Sequence, residues 1–297
     1  MSAMQEIETK AAEAGQHEIS SITVTAAERA ARALTPEKLD EAKRLFLEQG
    51  YLRIVDLFDA ETMKRLDAQF RARHLRQLRN TGAADKRPLF TVEVKDAFND
   101  SEVLTNSIIL PILDANLGED FIIASLSAVV SFPGAPNQHL HRDSTPLFSE
   151  DNRIEKDLPP IAMVMLVPLI DFTTETGCTR VWPGSHHIAG LEHGLALGSL
   201  DPEVRVGSVL LTDGRLLHRG AQNLSNRVRP LFYLQFHRSW FRDFGGYGTR
   251  RPILLSHADF ARMSPDFRRR FQWSRDMYFG LLFRRMSRFA KRLVGGG

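Results

Sequence analysis

The stretch LSAVVSFPGAPNQHLHRD, residues 126–143, carries the reading that decides the fold. Leu126 to Phe132 is the length of a strand, Pro133-Gly134 turns the chain, and the run resumes to end in His141-Arg142-Asp143. Successive side chains on a strand alternate faces, so His141 and Asp143 point one way and Arg142 the other. Their Cα atoms would lie roughly 6.5 Å apart, close enough for both to reach one ion. Imidazole and carboxylate without thiolate suit a ferrous ion held by one face, with the opposite positions left for a co-substrate and dioxygen.

Working outward, the same grammar of short β-rich runs continues downstream. Ile122-Ile123, Ile161 to Ile170, Thr179 to Trp182, Ser208 to Leu211 and Leu231 to Phe236 are strand-length, with turns at Thr176-Gly177, Pro183-Gly184 and Asp213-Gly214. Such spacing predicts a mainly β protein with a jelly roll or comparable barrel as its core. Upstream, Thr35-Pro36 offers a hydroxyl cap with proline at the first helical position, and Leu39, Ala42, Leu45 and Phe46 follow at helical spacing. Gly50 stops that helix, Tyr51 to Leu57 reads as a strand, and Asp59 opens a second helix. Arg87 to Lys95 is strand-like, and Val103 to Leu117 looks helical with an interruption at Pro111. Residues 1–34 show no sustained period and are expected to form a disordered arm. The β-rich domain is then expected over residues 35–260, with a separate extension over residues 261–297.

A third ligand has to come from another strand, because one from the same strand would be strung out along it. His218 is the downstream candidate. A His-x-Asp triplet is common by chance, and a second one, His257-Ala258-Asp259, falls in a stretch that reads as helix, where residues two apart diverge. His139 shares a face with His141 and Asp143. A cupin motif beginning at His139-x-His141 fails, since Thr145 and Pro146 stand where it wants glutamate, so His139 reads as a neighbour of the site. Eleven residues after His218, Arg229 begins an alternating run in which Arg229, Leu231, Tyr233 and Gln235 share a face. Turned inward, a buried guanidinium demands an anion, and its planar fork matches a carboxylate. The alternative is an arginine reaching solvent at the barrel rim.

Composition narrows the class. The chain has 297 residues, 43% hydrophobic and 25% charged, which suits a globular protein with a sizeable core. One cysteine, Cys178, excludes an internal disulfide and any cysteine-rich metal site and favours a reducing interior. The first thirty residues lack the apolar core of a secretory leader, and no apolar run approaches a membrane span, so the expected location is cytoplasmic. Between Ala261 and Gly297 ten basic residues face two aspartates, so this tail holds +8 of a net charge of +3. Arg284, Arg285, Arg288, Lys291 and Arg292 fall on one helical arc opposite Phe279, Leu282, Phe283, Met286, Phe289 and Leu293. This amphipathic segment packs on the barrel, on a second subunit, or on anionic headgroups at the inner face of a membrane. No nucleic acid is expected, since the charge is confined to the tail and no nucleic-acid module is present.

Taken together, these features resemble the phytanoyl-CoA dioxygenase family of Fe(II)- and 2-oxoglutarate-dependent oxygenases. The resemblance runs from about Leu34 to Phe236. It is carried by Gln49-Gly50-Tyr51-Leu52, Pro111-Ile112-Leu113 through Asp120, His141-Arg142-Asp143, the stretch Thr176 to His186, and His218 with Arg229. It implies a double-stranded β-helix with helices on one side, iron on His141, Asp143 and His218, and the distal carboxylate of 2-oxoglutarate on Arg229. Dioxygen is the second co-substrate, and hydroxylation of an unactivated carbon is the implied outcome; related halogenases carry a small residue where Asp143 stands. Two departures bear on the substrate: Arg142 replaces a common glutamine, and Arg180 a more usual apolar residue. If either faces the site, with Gln235 and His139 as further candidates, the substrate is anionic. Joined to the cationic tail, this leads to the expectation of a lipid-linked acidic substrate such as the Kdo sugar of lipopolysaccharide precursors. An acyl-CoA or natural-product intermediate is the soluble alternative. The rivals are a cupin-type isomerase or dioxygenase without 2-oxoglutarate, and a non-catalytic membrane-binding module keeping the fold.

Overall fold

The computed structural model describes residues 18–79, 83–144, 147, 158–188, 190–242 and 252–275. Among the described residues, nine strands form two sheets. The large one runs in the order β1 (Ser21–Thr23), β2 (Tyr51–Val55), β7 (Val209–Asp213), β5 (Ala162–Pro168), β9 (Arg229–His237), β4 (Ile122–Ser131) and β3 (Leu89–Thr91). All its pairings are antiparallel except β1 with β2. The small sheet pairs β6 (Thr179–Val181) with β8 (His218–Gly220), and single bridges extend it on both sides, His141 to His218 and Val181 to Leu200. This is the jelly-roll core with flanking helices that the strand spacing predicts.

Alternation on β4 and β9 creates both the core and the cavity. Leu126, Ala128 and Val130 on β4, with Phe232, Leu234 and Phe236 on β9, face the helices and join the main apolar core. Phe232 meets the rings of Phe70 and Phe98 edge-on at 5.2 and 5.0 Å. Each such side chain, fully buried, contributes about 1.5–3 kcal/mol, which fixes the register of the two strands. A register shift between Ile123 and Ser125 joins two predicted strands into one β4 and resets the alternation. The opposite face then presents Ser125, Ser127, Val129, Arg229, Leu231, Tyr233 and Gln235 to the inside of the roll.

The helices follow local signals. Helix Pro36–Gln49 is capped by Thr35, whose hydroxyl accepts from the Lys38 amide, and ends at Gly50 in the left-handed region at φ 75°. Helix Ala60–Arg79 starts where Asp59 accepts from the Thr62 amide at 2.7 Å, and it kinks at His74. Pro111 stands in the first turn of helix Leu110–Leu117 instead of interrupting a longer helix, and Ser101–Leu104 forms a separate turn.

Two expected boundaries shift. The described part of the arm assigned to residues 1–34 is built into the fold: β1 pairs with β2, Ile22 and Val24 are buried, and a Thr25/Glu28 capping box starts helix Ala26–Ala31. Two buried residues are too few to register as a period, so tertiary pairing decides this segment. Nor does a packing break fall at residue 260, since Met263, Phe267 and Phe271 belong to the main core. The amphipathic run from Phe279 to Leu293 lies outside the described residues. Among the described residues no helix is long and apolar enough to cross a membrane.

Candidate functional site

His141 and His218 meet through a backbone bridge, each amide donating to the other's carbonyl at 3.1 and 3.0 Å. This single bridge onto β8 brings together two imidazoles that are far apart in sequence, with ring centroids 4.4 Å apart. Asp143, two residues beyond His141, returns to the same face. Its carboxylate oxygens stand 3.4 Å from His218 Nε2 and 4.0 Å from His141 Nε2. The three ligand atoms lie within 4.8 Å of one another, the one such group of potential metal ligands among the described residues. An octahedral ion with bonds of about 2.1 Å has ligand edges of about 3 Å, so a small closure of these side chains would seat one.

The protonation pattern suits that task. His141 Nδ1 faces the carbonyl of His139 at 2.9 Å, and His218 Nδ1 faces that of Leu216 at 3.0 Å. A carbonyl can only accept, so each Nδ1 carries a hydrogen, and Nε2 is the ring atom that each histidine turns toward Asp143. Burial, then the neighbouring His218, holds His141 below its ordinary pKa, which keeps that ring neutral and able to ligate.

Arg229 lies in the same cavity, whose volume is about 220 Å³. It is 1% exposed, and burial followed by the like charge of Arg87 pushes its guanidinium down to about 9. Its Nε donates to the Thr176 carbonyl at a long 3.5 Å, and its Cζ sits 4.6 Å over the Phe172 ring. No carboxylate of the described residues pairs with it. Ser131, opposite Arg229 in the β4–β9 register, is fully buried with its hydroxyl unpartnered. A buried cation and an orphaned hydroxyl side by side fit a ligand carboxylate.

The remaining sequence candidates fall into two groups. Gln235 lines the cavity, accepting from the Ser125 hydroxyl and donating to the Tyr233 oxygen, both at 3.0 Å. Arg142 borders the cavity, but its Nε and Nη2 donate to the carbonyls of Arg215 and Ile188. Arg180 does not line the cavity; its neighbour Thr179 does, while Arg180 grips Asp201 at 2.8 and 2.5 Å. His139 is exposed and serves His141 through its main-chain carbonyl. His257-Ala258-Asp259 lies in a helix, as its surroundings suggest.

Sequence reading missed Arg87, Gln138 and Ser131. Arg87 is 5% exposed, lines the cavity, and donates to the carbonyls of Pro136 and Ala221, while its Nε is left without a partner. The signal was present: Arg87 and Leu89 share a face in the strand-like run, and both line the cavity. Gln138 accepts from the Gly220 amide at 2.8 Å, and a Cβ on Gly220 would sit 2.5 Å from that same oxygen, so glycine there seats the amide.

The chain matches known proteins at three levels. It is 33% identical over 134 residues to dioxygenase trt7 of Aspergillus terreus, covering 43% of this chain and 46% of that protein. Dioxygenase aneA of Aspergillus aculeatus is 33% identical over 111 residues, 36% of this chain and 37% of that one. The matched region thus spans less than half the length of these relatives. The non-heme α-ketoglutarate-dependent epimerase SnoN from nogalamycin biosynthesis shares the fold, with TM-score 0.54 at 15% identity over 71% of this chain and 85% of that one. SnoN has also been solved with Fe3+, α-ketoglutarate and nogalamycin RO, and that structure superposes with TM-score 0.55 at 16% identity over 71% of this chain and 88% of that one. The family model described as phytanoyl-CoA dioxygenase (PhyH) matches residues 46–231, from the first long helix through the metal-ligand candidates to the start of β9, and the chain belongs to that family.

Proposed function

We propose that this protein is an Fe(II)- and 2-oxoglutarate-dependent oxygenase that hydroxylates an unactivated carbon of a small molecule. One observation carries the reading: the fully buried Arg229, without an acidic partner among the described residues, opens on the same cavity as the His141, Asp143 and His218 cluster. A protein tolerates such a cation where a ligand anion completes it. When bound, iron and 2-oxoglutarate supply oxygen activation driven by oxidative decarboxylation of the keto acid to succinate and carbon dioxide.

The chain's own part is binding, orientation and exclusion of water. His141, His218 and Asp143 offer two neutral donors and one negative charge on one side of an ion, leaving the other side to ligands. Arg229, with the Ser131 hydroxyl beside it, would hold the distal carboxylate of the keto acid. Arg87, Gln138 and Thr179 line the same cavity. Toward Tyr233 and Gln235 the wall is uncharged, built of Ser125, Ser127, Val129 and Leu231.

That wall favours an uncharged, hydrogen-bonding substrate, of the natural-product kind, over the acidic Kdo sugar. The acidic reading rested on Arg142 and Arg180, whose guanidinia are engaged with protein groups. Arg180→Ala is therefore expected to leave substrate KM within about twofold while costing about 1–3 kcal/mol of stability, since it strands the half-buried Asp201 carboxylate. A steady-state KM together with a melting curve checks this.

The function itself is tested by succinate release on adding Fe(II), 2-oxoglutarate and ascorbate, followed by a substrate panel of neutral polyketides and terpenoids, acyl-CoAs and acidic sugars. A substrate that raises succinate in step with a product heavier by one oxygen atom establishes hydroxylation. A product of unchanged mass would place the chain with epimerases. Absence of any iron-dependent succinate sinks the proposal.

A further inference from the structure

Resting on that reading, we infer that Arg142 is a positioning residue that sets the path of the metal-ligand segment. The segment is lightly paired. From Gln138 to Ser144 its main chain is held by the Gln138 amide on the Gly220 carbonyl at 2.9 Å, the reciprocal His141–His218 pair, and the Ser144 amide on the Gly214 carbonyl at 2.8 Å. The carboxylate of Asp143 meets only the two imidazoles among the described residues. No other described side chain grips it from behind. Its place depends on where the backbone runs.

Arg142 points away from the ligands and fastens that backbone to two rigid points. Its Nε donates to the Arg215 carbonyl at 2.9 Å and its Nη2 to the Ile188 carbonyl at 2.6 Å. The first anchor is fixed by the buried Arg215–Asp213 pair, with side-chain exposures of 4% and 1%. The second belongs to the turn at Ser185–His187, where Ser185 is fully buried and its hydroxyl accepts from the Leu217 amide at 2.9 Å. That amide immediately precedes His218. The guanidinium thus ties the segment carrying His141 and Asp143 to the frame that carries the third ligand.

Arginine suits this because its donors are coplanar and rigidly spaced, so two carbonyls on different elements fix the direction of the side chain. Lysine offers one point charge on a flexible stem, and alanine offers nothing. A residue that orients ligands without touching the metal typically costs 10–100-fold in metal affinity when removed.

The experiment is a Co(II) titration of the full-length protein, read from the visible d–d absorption, with Zn(II) competition for affinity. Arg142→Ala is expected to weaken Co(II) binding roughly 10–100-fold and to alter the d–d band, with Arg142→Lys recovering part of the loss. Arg238→Ala is the control. Arg238 makes the same double clamp, Nε to the Pro160 carbonyl at 2.8 Å and Nη2 to that of Asn116 at 2.6 Å, without lining the cavity. It should lower the melting temperature while keeping wild-type Co(II) affinity. Equal Co(II) affinity in wild type and Arg142→Ala, or equal losses in Arg142→Ala and Arg238→Ala, overturns the inference while leaving the proposed function standing. If Arg142→Ala does not fold, Arg142→Lys decides on the same readouts. Failure of the wild-type chain to bind Co(II) overturns both.

Discussion

Asp143→Ala is expected to remove iron-dependent succinate formation by roughly a thousandfold, equivalent to about 4 kcal/mol of lost transition-state stabilisation. The carboxylate is the only anion of the cluster, and two neutral imidazoles alone balance none of a divalent ion's charge. His218→Ala should do the same by removing the ligand that the second strand supplies. Neither side chain is a pillar of the apolar core, so far-UV circular dichroism should be unchanged. Turnover per protein, with iron content measured alongside, gives the answer. Retained turnover in either variant at normal iron content would show that the reaction runs elsewhere.

Arg229→Leu should separate binding from folding in opposite directions. Removing one partner of a buried charge pair costs about 2–5 kcal/mol, so the apparent affinity for 2-oxoglutarate should fall by about 30-fold to a few thousandfold. Without ligand, the same variant should melt higher than wild type, because an apolar side chain avoids burying an uncompensated cation. The sign follows from the lowered guanidinium value of about 9. Between about 9 and the unfolded value the unfolded chain binds more protons, so this group's penalty is relieved only as pH rises through that window. At pH 7 the whole penalty is present. N-oxalylglycine, a non-reacting mimic of the keto acid, should raise the melting temperature of wild type and leave Arg229→Leu unmoved. A drop in the ligand-free melting temperature of Arg229→Leu would mean that Phe172 and Thr176 already compensate the charge.

Much of this arrangement is legible in the sequence because it rests on period-two alternation. The inner row from Arg229 to Gln235 follows from strand geometry alone, whereas His141 and Asp143 converge as expected but from a single bridge and the bend after it, not from a strand. The cap at Thr35 and the stop at Gly50 are legible too. What escaped depends on partners distant in the chain. β1 exists only because β2 lies beside it, with Ile22 opposite Ile54. Arg180 looks like a substrate ligand until Asp201 is seen gripping it. Arg87 announces no role until Pro136 and Ala221 fold around it, and a charge in an apolar run reads equally as a solvated edge.

The two ligand histidines each lean on the carbonyl two residues earlier. Main chain is the one component that every amino-acid replacement preserves. The ring nitrogen that faces the centre is therefore fixed by main chain, whatever side chains line the rest of the roll. Descendants of this sequence can exchange Ser127, Tyr233 or Gln235 to suit a new molecule without changing which nitrogen the ligand rings present, and this separability lets one reactive centre serve many different compounds.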